Sequence, residues 1–344
     1  MKSKVKKFSA IVLYLSIVTV TIAFIQEMFV SVYESADEAR IDTFFTQEED
    51  SLDAVFLGPS TTYASWVAPI AFQEYGITVY SVASAAQPLF ASKYMIEDMR
   101  KKQPDALYII NVTHYLKKYE KYVPNFIETY PLRTNKFMMT AYLSDLGNIP
   151  IEETVKMYLP VLKYHSRWSE LSVKDLFYKK DKYKSASYYK SFLNKAKNVG
   201  SVQTDFETQE ALGERDMTGL TDLINYCKKE KLKVLFVIIP QGEECSDRAG
   251  KQNTTVSVLK SRGFDVLDLR RYVSDMSIDP EKDFYNAQHM NINGASKVTK
   301  FISEYLVEKH GFTDKRNDER YADWIEAAKE YNKLVADGKL ASAK

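Results

Sequence analysis

Five strand-length apolar runs constrain this chain more than any other feature of its sequence: Ala54–Leu57, Thr78–Val82, Ala106–Val112, Lys233–Ile239 and Phe264–Leu267. Their Val, Ile, Leu and Phe residues are nearly continuous rather than alternating, the pattern of strands buried on both faces. Stretches of helical period lie between and after them, at about 61–74, 89–102, 217–230, 250–262 and 294–309. Such alternation predicts a parallel sheet covered by helices on both faces, an α/β domain over residues 51–312. In folds of this kind ligands bind beyond the carboxyl ends of the strands, where strand order reverses. At 344 residues the chain can bury a substantial core in one large domain.

Residues 113–216 interrupt the alternation without a clear strand and read as a helical or irregular insertion on the third βα connection, at the ligand-binding edge. Within 161–200, ten Lys/Arg face three Asp/Glu, with Tyr164, Tyr178, Tyr183, Tyr188 and Tyr189 interleaved. This is either a solvated surface or a cationic, aromatic-lined one suited to an anionic or sugar-containing polymer. Arg167 and Trp168, in KYHSRWSEL at 163–171, suit a phosphate or a sugar face, and suit equally well the docking of the insertion on the core. Beyond residue 312 an amphipathic helix carrying Tyr321, Trp324, Ile325, Ala328, Tyr331 and Leu334 is expected to pack back on the domain.

The N-terminus carries Lys2, Lys4, Lys6 and Lys7, then nineteen residues without a charge, 8–26. A helix of that length rises about 28 Å, close to the hydrocarbon thickness of a bilayer. The lysines predict a cytoplasmic N-terminus, with Glu27, Glu34, Asp37 and Glu38 on the other side. No small-x-small cleavage site follows, so the run reads as a single-pass anchor rather than a cleaved signal peptide. Residues 31–50 read as a polar stalk, and everything after residue 30 as extracytoplasmic. Cys227 and Cys245 flank a strand of about 23 Å, beyond the ~7 Å reach of a disulfide, and are expected to be unpaired. That usage suits a bacterial cell-envelope protein.

Forty-seven basic and 46 acidic residues give a net charge of +1, so no global charge argues for nucleic acid. Two cysteines exclude a disulfide-stapled mini-domain or a Cys-rich zinc module, and no His-x-x-x-His, Cys-x-x-Cys or aspartate-rich loop suggests a metal. Gly58 stands alone after the first strand, so no glycine-rich phosphate loop calls for a nucleotide cofactor. Four histidines leave few places for imidazole chemistry.

One place stands out. The first strand ends in FLGPSTT, which sets Ser60 at a strand-to-helix junction on the carboxyl edge of the sheet. A hydroxyl there, with its own N–H at a helix start, suits acyl transfer, although Pro-Ser-Thr-Thr also makes an ordinary helix N-cap. His289 lies in NAQHMNINGA, a loop before the final domain helix that returns to the same edge, with Asn291, Asn293 and Gly294 beside it. His310 falls at a helix end, His165 in the insertion and His114 after the third strand.

FLGPSTT and NAQHMNINGA, in this order and strand context, resemble blocks I and V of the SGNH/GDSL hydrolase superfamily, over residues 52–112 and 217–309. Its envelope-anchored members include D-alanyl transfer proteins of teichoic acid synthesis and polysaccharide O-acetyltransferases. The resemblance implies a flavodoxin-like three-layer sandwich with Ser60 as nucleophile and His289 as general base. It implies an oxyanion hole from Ser60, from Ala83 or Ser84 in VYSVASAAQPL, and from Thr113, which stands where the family carries asparagine. The family's Asp-x-x-His reads Asn286-Ala287-Gln288-His289, so Asn286 takes the orienting place and Asp283 is the nearest carboxylate able to substitute. Losing that charge costs on the order of 10³–10⁴ in rate in known triads.

The function implied is a membrane-anchored extracytoplasmic acyltransferase or esterase, working through an acyl-serine without a cofactor. Its substrate would be a cell-envelope polysaccharide or teichoic acid, and a membrane-bound O-acyltransferase its partner. Two other readings stay open: a non-catalytic protein of this fold that holds an anionic envelope polymer, and a flavodoxin-like domain whose Ser60, Thr61 and Thr62 cradle a phosphate.

Overall fold

In a computed structural model describing residues 2–29, 35–113, 119–131, 133–145, 149–173, 175 and 195–338, the five apolar runs form one sheet. Its strands are β1 (Ala54–Gly58), β2 (Val79–Ala83), β3 (Leu107–Asn111), β4 (Val234–Ile238) and β5 (Asp265–Asp268). All neighbours are parallel, in the order β2-β1-β3-β4-β5, with Val55 in register with Tyr80 on one side and Tyr108 on the other. Every residue of β1, β2 and β3 is buried, which explains the absence of polar alternation in these runs. The chain moves outward from β1 to β2 and then returns past β1 to β3. The order therefore reverses between the carboxyl ends of β1 and β3, at Gly58 and Asn111, and a crevice is expected there.

The helices around the sheet close to expectation are α3 (Ser60–Tyr63), α4 (Ala68–Tyr75), α5 (Ala91–Met99), and, later in the chain, Glu214–Lys229, Ala249–Ser261 and Ile292–His310. The helix expected over 61–74 is thus two. Trp66 turns inward against Phe56 and donates its indole N–H to Val79 O at 3.1 Å, and Pro69 opens α4 in its first turn, where a missing N–H breaks no bond. Ile292–His310 and the C-terminal helix Ala322–Ala336 both pack on α4, with Trp324 against Phe72. The insertion is helical where described: α6 (Tyr119–Thr129), α7 (Thr134–Asp145), α8 (Ile151–Tyr158), α9 (Pro160–Tyr164) and a 3₁₀ segment, His165–Glu170. Residues 176–194, with four of its interleaved tyrosines, lie outside the described residues, as does His114. Cys227 and Cys245 are both buried and unpaired, and burial pushes the Cys227 thiol up to about 12.

At the N-terminus α1 (Lys2–Phe29) is long and apolar enough to cross a bilayer, and its span Lys4–Gln26 is uncovered by the rest of the protein. The stalk expected at 31–50 is corrected: Ser35–Phe44 is a helix, α2, laid on the edge strand β2. It buries Ala39, Ile41 and Phe44, the last against Tyr80, and so covers a sheet edge that would otherwise expose unpaired backbone. Asp37 and Arg40 neutralise each other at 2.6 Å, which lets a charged segment lie against the domain.

The end of β5 carries a buried ion pair. Arg270 holds Asp268 with Nε–Oδ1 at 2.8 Å and Nη2–Oδ2 at 2.7 Å, and its other donors reach Gln252 Oε1 and Asn253 Oδ1. Both charges are almost fully buried, so Arg270→Ala leaves a desolvated carboxylate without its partner. The expected cost is about 3–5 kcal/mol, read as a lower unfolding midpoint, whereas neighbouring Arg271→Ala, exposed by half, should cost less than about 1 kcal/mol.

Candidate active site

Ser60 follows β1 through Gly58 and Pro59 and opens α3. Gly58 has φ +150°, and a Cβ there would run into Thr62 Oγ1 and approach Asn111 Cβ to 2.7 Å, so only glycine fits where β1 passes β3. Across that contact Asn111 Nδ2 donates to Thr61 Oγ1 at 3.0 Å and Thr62 Oγ1 at 2.9 Å, fixing the turn that carries the serine. Gln87, with its amide turned to suit, brackets Gly58 by donating to its carbonyl at 3.1 Å and accepting from its N–H at 3.2 Å. A small cleft lined by Pro59, Gln87, Pro88, Leu89, Ser92 and Val112 opens at this edge.

His289 arrives from a small antiparallel hairpin, β6 (Phe284–Asn286) and β7 (His289–Met290), in which it pairs with Asn286. Ser60 Oγ and His289 Nε2 stand 2.7 Å apart, although 229 positions separate them. Asn286 Oδ1 accepts from Gln288 N and His289 N, each at 2.9 Å, and lies 3.1 Å from His289 Nδ1. Two backbone donors fix the oxygen of that amide inward, so Nδ1 carries the proton that it donates to Asn286. Nε2 is then the acceptor, and the Ser60 hydroxyl donates to it. Burial first, and the Arg248 cation second, hold His289 below the usual imidazole range, so it is a neutral base at neutral pH.

The remaining residues expected at the site fare differently. Asp283 does not orient the imidazole: its buried carboxylate is held by Lys297 Nζ at 2.6 Å and Asp279 N at 2.7 Å, which fixes the loop before the hairpin. Thr113 is not an oxyanion donor. Its hydroxyl donates to Asn111 Oδ1 and accepts from Ile239 N at 2.7 Å, satisfying backbone beyond the strand ends. Ser84 spends its N–H on Gly58 O at 3.3 Å, and Ala83 turns its carbonyl to Arg40 at the outer edge. The Ser60 N–H, at the first position of α3, has no intrahelical acceptor. Arg167 and Trp168 contact the end of α1 instead: Arg167 donates to Phe29 O and pairs with Asp175, and Trp168 stacks on Phe29.

Sequence reasoning missed Tyr63, Asp37, Arg40 and Arg248. Tyr63 sits one turn beyond Ser60, at the end of α3. Burial, then the Asp37 charge, push its phenol up to about 12, with the Arg40 cation opposing. The Arg40 guanidinium lies 4.5 Å over the Tyr63 ring. The i,i+3 spacing from Ser60 was the available signal for Tyr63. Among the described residues no cluster of three or more His, Cys, Asp or Glu is arranged to hold a metal ion. Compared with protein-family models and with curated proteins, the sequence matches none.

The sign of the Arg248 effect is testable. Removing this cation by Arg248→Met favours the imidazolium and raises the His289 pKa, because a nearby positive charge disfavours a second one. Any His289-dependent reaction should then lose activity at a higher pH on acidification than in the wild-type protein. A pH–rate profile with an unmoved acid limb would contradict this.

Proposed function

We propose that this chain is a serine acyltransferase or esterase of SGNH/GDSL type, acting through an acyl-Ser60 intermediate. The single observation that carries the reading is the 2.7 Å contact of Ser60 Oγ with a His289 Nε2 whose tautomer Asn286 fixes. The strand order β2-β1-β3-β4-β5, with the serine at the switch point, supports a flavodoxin-like three-layer assignment. In the reaction, Ser60 Oγ attacks the carbonyl carbon of a donor ester while His289 Nε2 takes the hydroxyl proton. The Ser60 N–H faces the developing oxyanion, and His289 returns the proton to the departing alcohol. A second hydroxyl, from a polymer or from water, then repeats the step in reverse on the acyl-serine. The acyl group proposed is a small one, acetyl or D-alanyl, as in the family that the motifs resemble.

The substrate proposed is an extracytoplasmic cell-envelope polysaccharide or teichoic acid, with α1 as a membrane anchor whose lysines stay in the cytoplasm. A membrane-bound O-acyltransferase is the partner this arrangement suits, since a tether keeps the serine near a membrane donor. One observation favours a second reading, a non-catalytic polymer-holding protein: Asn286 brings no charge to stabilise the imidazolium that catalysis must form, and burial and the Arg248 cation disfavour it.

A fluorophosphonate probe and an activated acetyl ester separate the two. On the catalytic reading, Ser60→Ala abolishes labelling and turnover, and His289→Ala lowers turnover by about 10²–10⁴. Asn286→Asp, which restores a charge beside Nδ1, should raise turnover by about tenfold or more. An unlabelled, folded wild-type protein would favour the polymer-holding reading.

A further inference from the structure

Exposed apolar surface is unevenly spread on this protein. Among the described residues outside α1, all but two of the large exposed apolar side chains, Tyr272 and Tyr285, fall between positions 122 and 173 in the insertion. Ile151 is 80% exposed, Trp168 74%, Val173 71% and Phe137 53%, values that a soluble surface seldom combines within one segment. Ile151 and Val155 lie one turn apart on α8, whose Met157 is buried, so the helix has an inner apolar contact and an uncovered apolar edge as well.

These side chains are joined to the anchor. The last turn of α1 packs against α9 and the 3₁₀ segment, where Trp168 stacks on the buried Phe29 at 6.2 Å and Arg167 donates to Phe29 O at 3.2 Å. From there α9 packs on α8, and Tyr158 of α8 stacks on Phe137 of α7 at 5.0 Å. The uncovered residues therefore continue outward from the point where α1 ends. A helix that crosses a bilayer leaves it at headgroup depth, and whatever packs on its last turn lies at that depth too. Tryptophan, uncovered aliphatic residues and basic side chains are the composition that this interface favours.

We propose that the insertion lies in the membrane interface beside α1, with Trp168 and the uncovered edge of α8 seated in the lipid headgroup and upper acyl region. The occupant of this apolar face is thus lipid. The inference rests on the reading of α1 as a membrane-spanning helix. Its consequence is orientation: the insertion follows β3 at the carboxyl edge of the sheet, so seating it in the interface holds the edge that bears Ser60 close to the bilayer.

The test uses the full chain in vesicles of phosphatidylcholine and phosphatidylglycerol. A fluorescent thiol label is placed at Ile151→Cys, at Tyr14→Cys within α1 and at Lys229→Cys, which is 82% exposed before β4. Native Cys227 and Cys245 are buried, and burial raises both thiols, so they should stay unlabelled. Nitroxide-bearing lipid should quench most of the emission at Ile151→Cys and Tyr14→Cys and little of it at Lys229→Cys. If Tyr14→Cys is quenched while Ile151→Cys behaves like Lys229→Cys, the interfacial seat is overturned and the anchor stands. An Ile151→Cys label shielded from both aqueous iodide and lipid nitroxide means that a second copy covers the face, which overturns lipid as its occupant. An unquenched Tyr14→Cys overturns the spanning reading and the inference with it.

Discussion

The contact between Gly58 and Asn111 is the constraint on which the candidate site depends. β1 and β3 pass so closely at their carboxyl ends that no side chain fits at Gly58. Asn111 spends both amide hydrogens on Thr61 and Thr62, and its oxygen accepts from the N–H and hydroxyl of Thr113. An apolar residue at 111 would strand buried polar groups at about 1–3 kcal/mol each. The position of Ser60 is thus set by backbone approach and buried hydrogen bonds, while the serine side chain itself stays available to His289.

An asparagine governs the other half of the pair as well. Asn286 closes the hairpin turn with two backbone donors and uses the same oxygen to aim the imidazole. A carboxylate in that place would stabilise the imidazolium, but the amide only orients. Burial and Arg248 push the ring further toward its neutral form. On the acyl-transfer reading, the base stands ready at neutral pH, and the charge formed in the transition state must be stabilised mainly on the oxyanion side. That balance fits a reaction in which the acyl donor is delivered and held close, where speed depends on proximity as much as on the triad.

What could be read from the sequence follows from where the physics is local. Buried parallel strands need continuous apolar runs, so all five were legible to within a residue or two at most of their ends. Asn286 came only from the resemblance to block V, whereas the meeting of Ser60 and His289 was legible because order along a βα chain fixes which loops share an edge. The hairpin that presents His289 was not, because strands of three and two residues carry no periodic signal. Asp283 looked available because sequence cannot show Lys297 pairing with it from fourteen residues on, in the next helix. Thr113 was chosen by alignment of types, whereas Asn111, two residues earlier, does the work of tying β3 to the serine turn.

The misread stalk has the widest consequence. Its charges suggested solvent, yet Asp37 and Arg40 cancel each other and turn inward. Arg40 donates to Ala83 O and lies over the Tyr63 ring, and Asp37 accepts from Ala85 N at 2.7 Å. The helix α2 that follows α1 in the sequence therefore packs against the α3 turn that carries Ser60. Burial and the Asp37 charge both oppose a phenolate at Tyr63, so it stays protonated one turn from Ser60. A soluble fragment that begins after residue 50 would lose Asp37 and Arg40 together, opening the β2 edge and wetting Tyr63. In this structure α2 and the serine turn belong to one packed unit, so any test of Ser60 needs α2 in place.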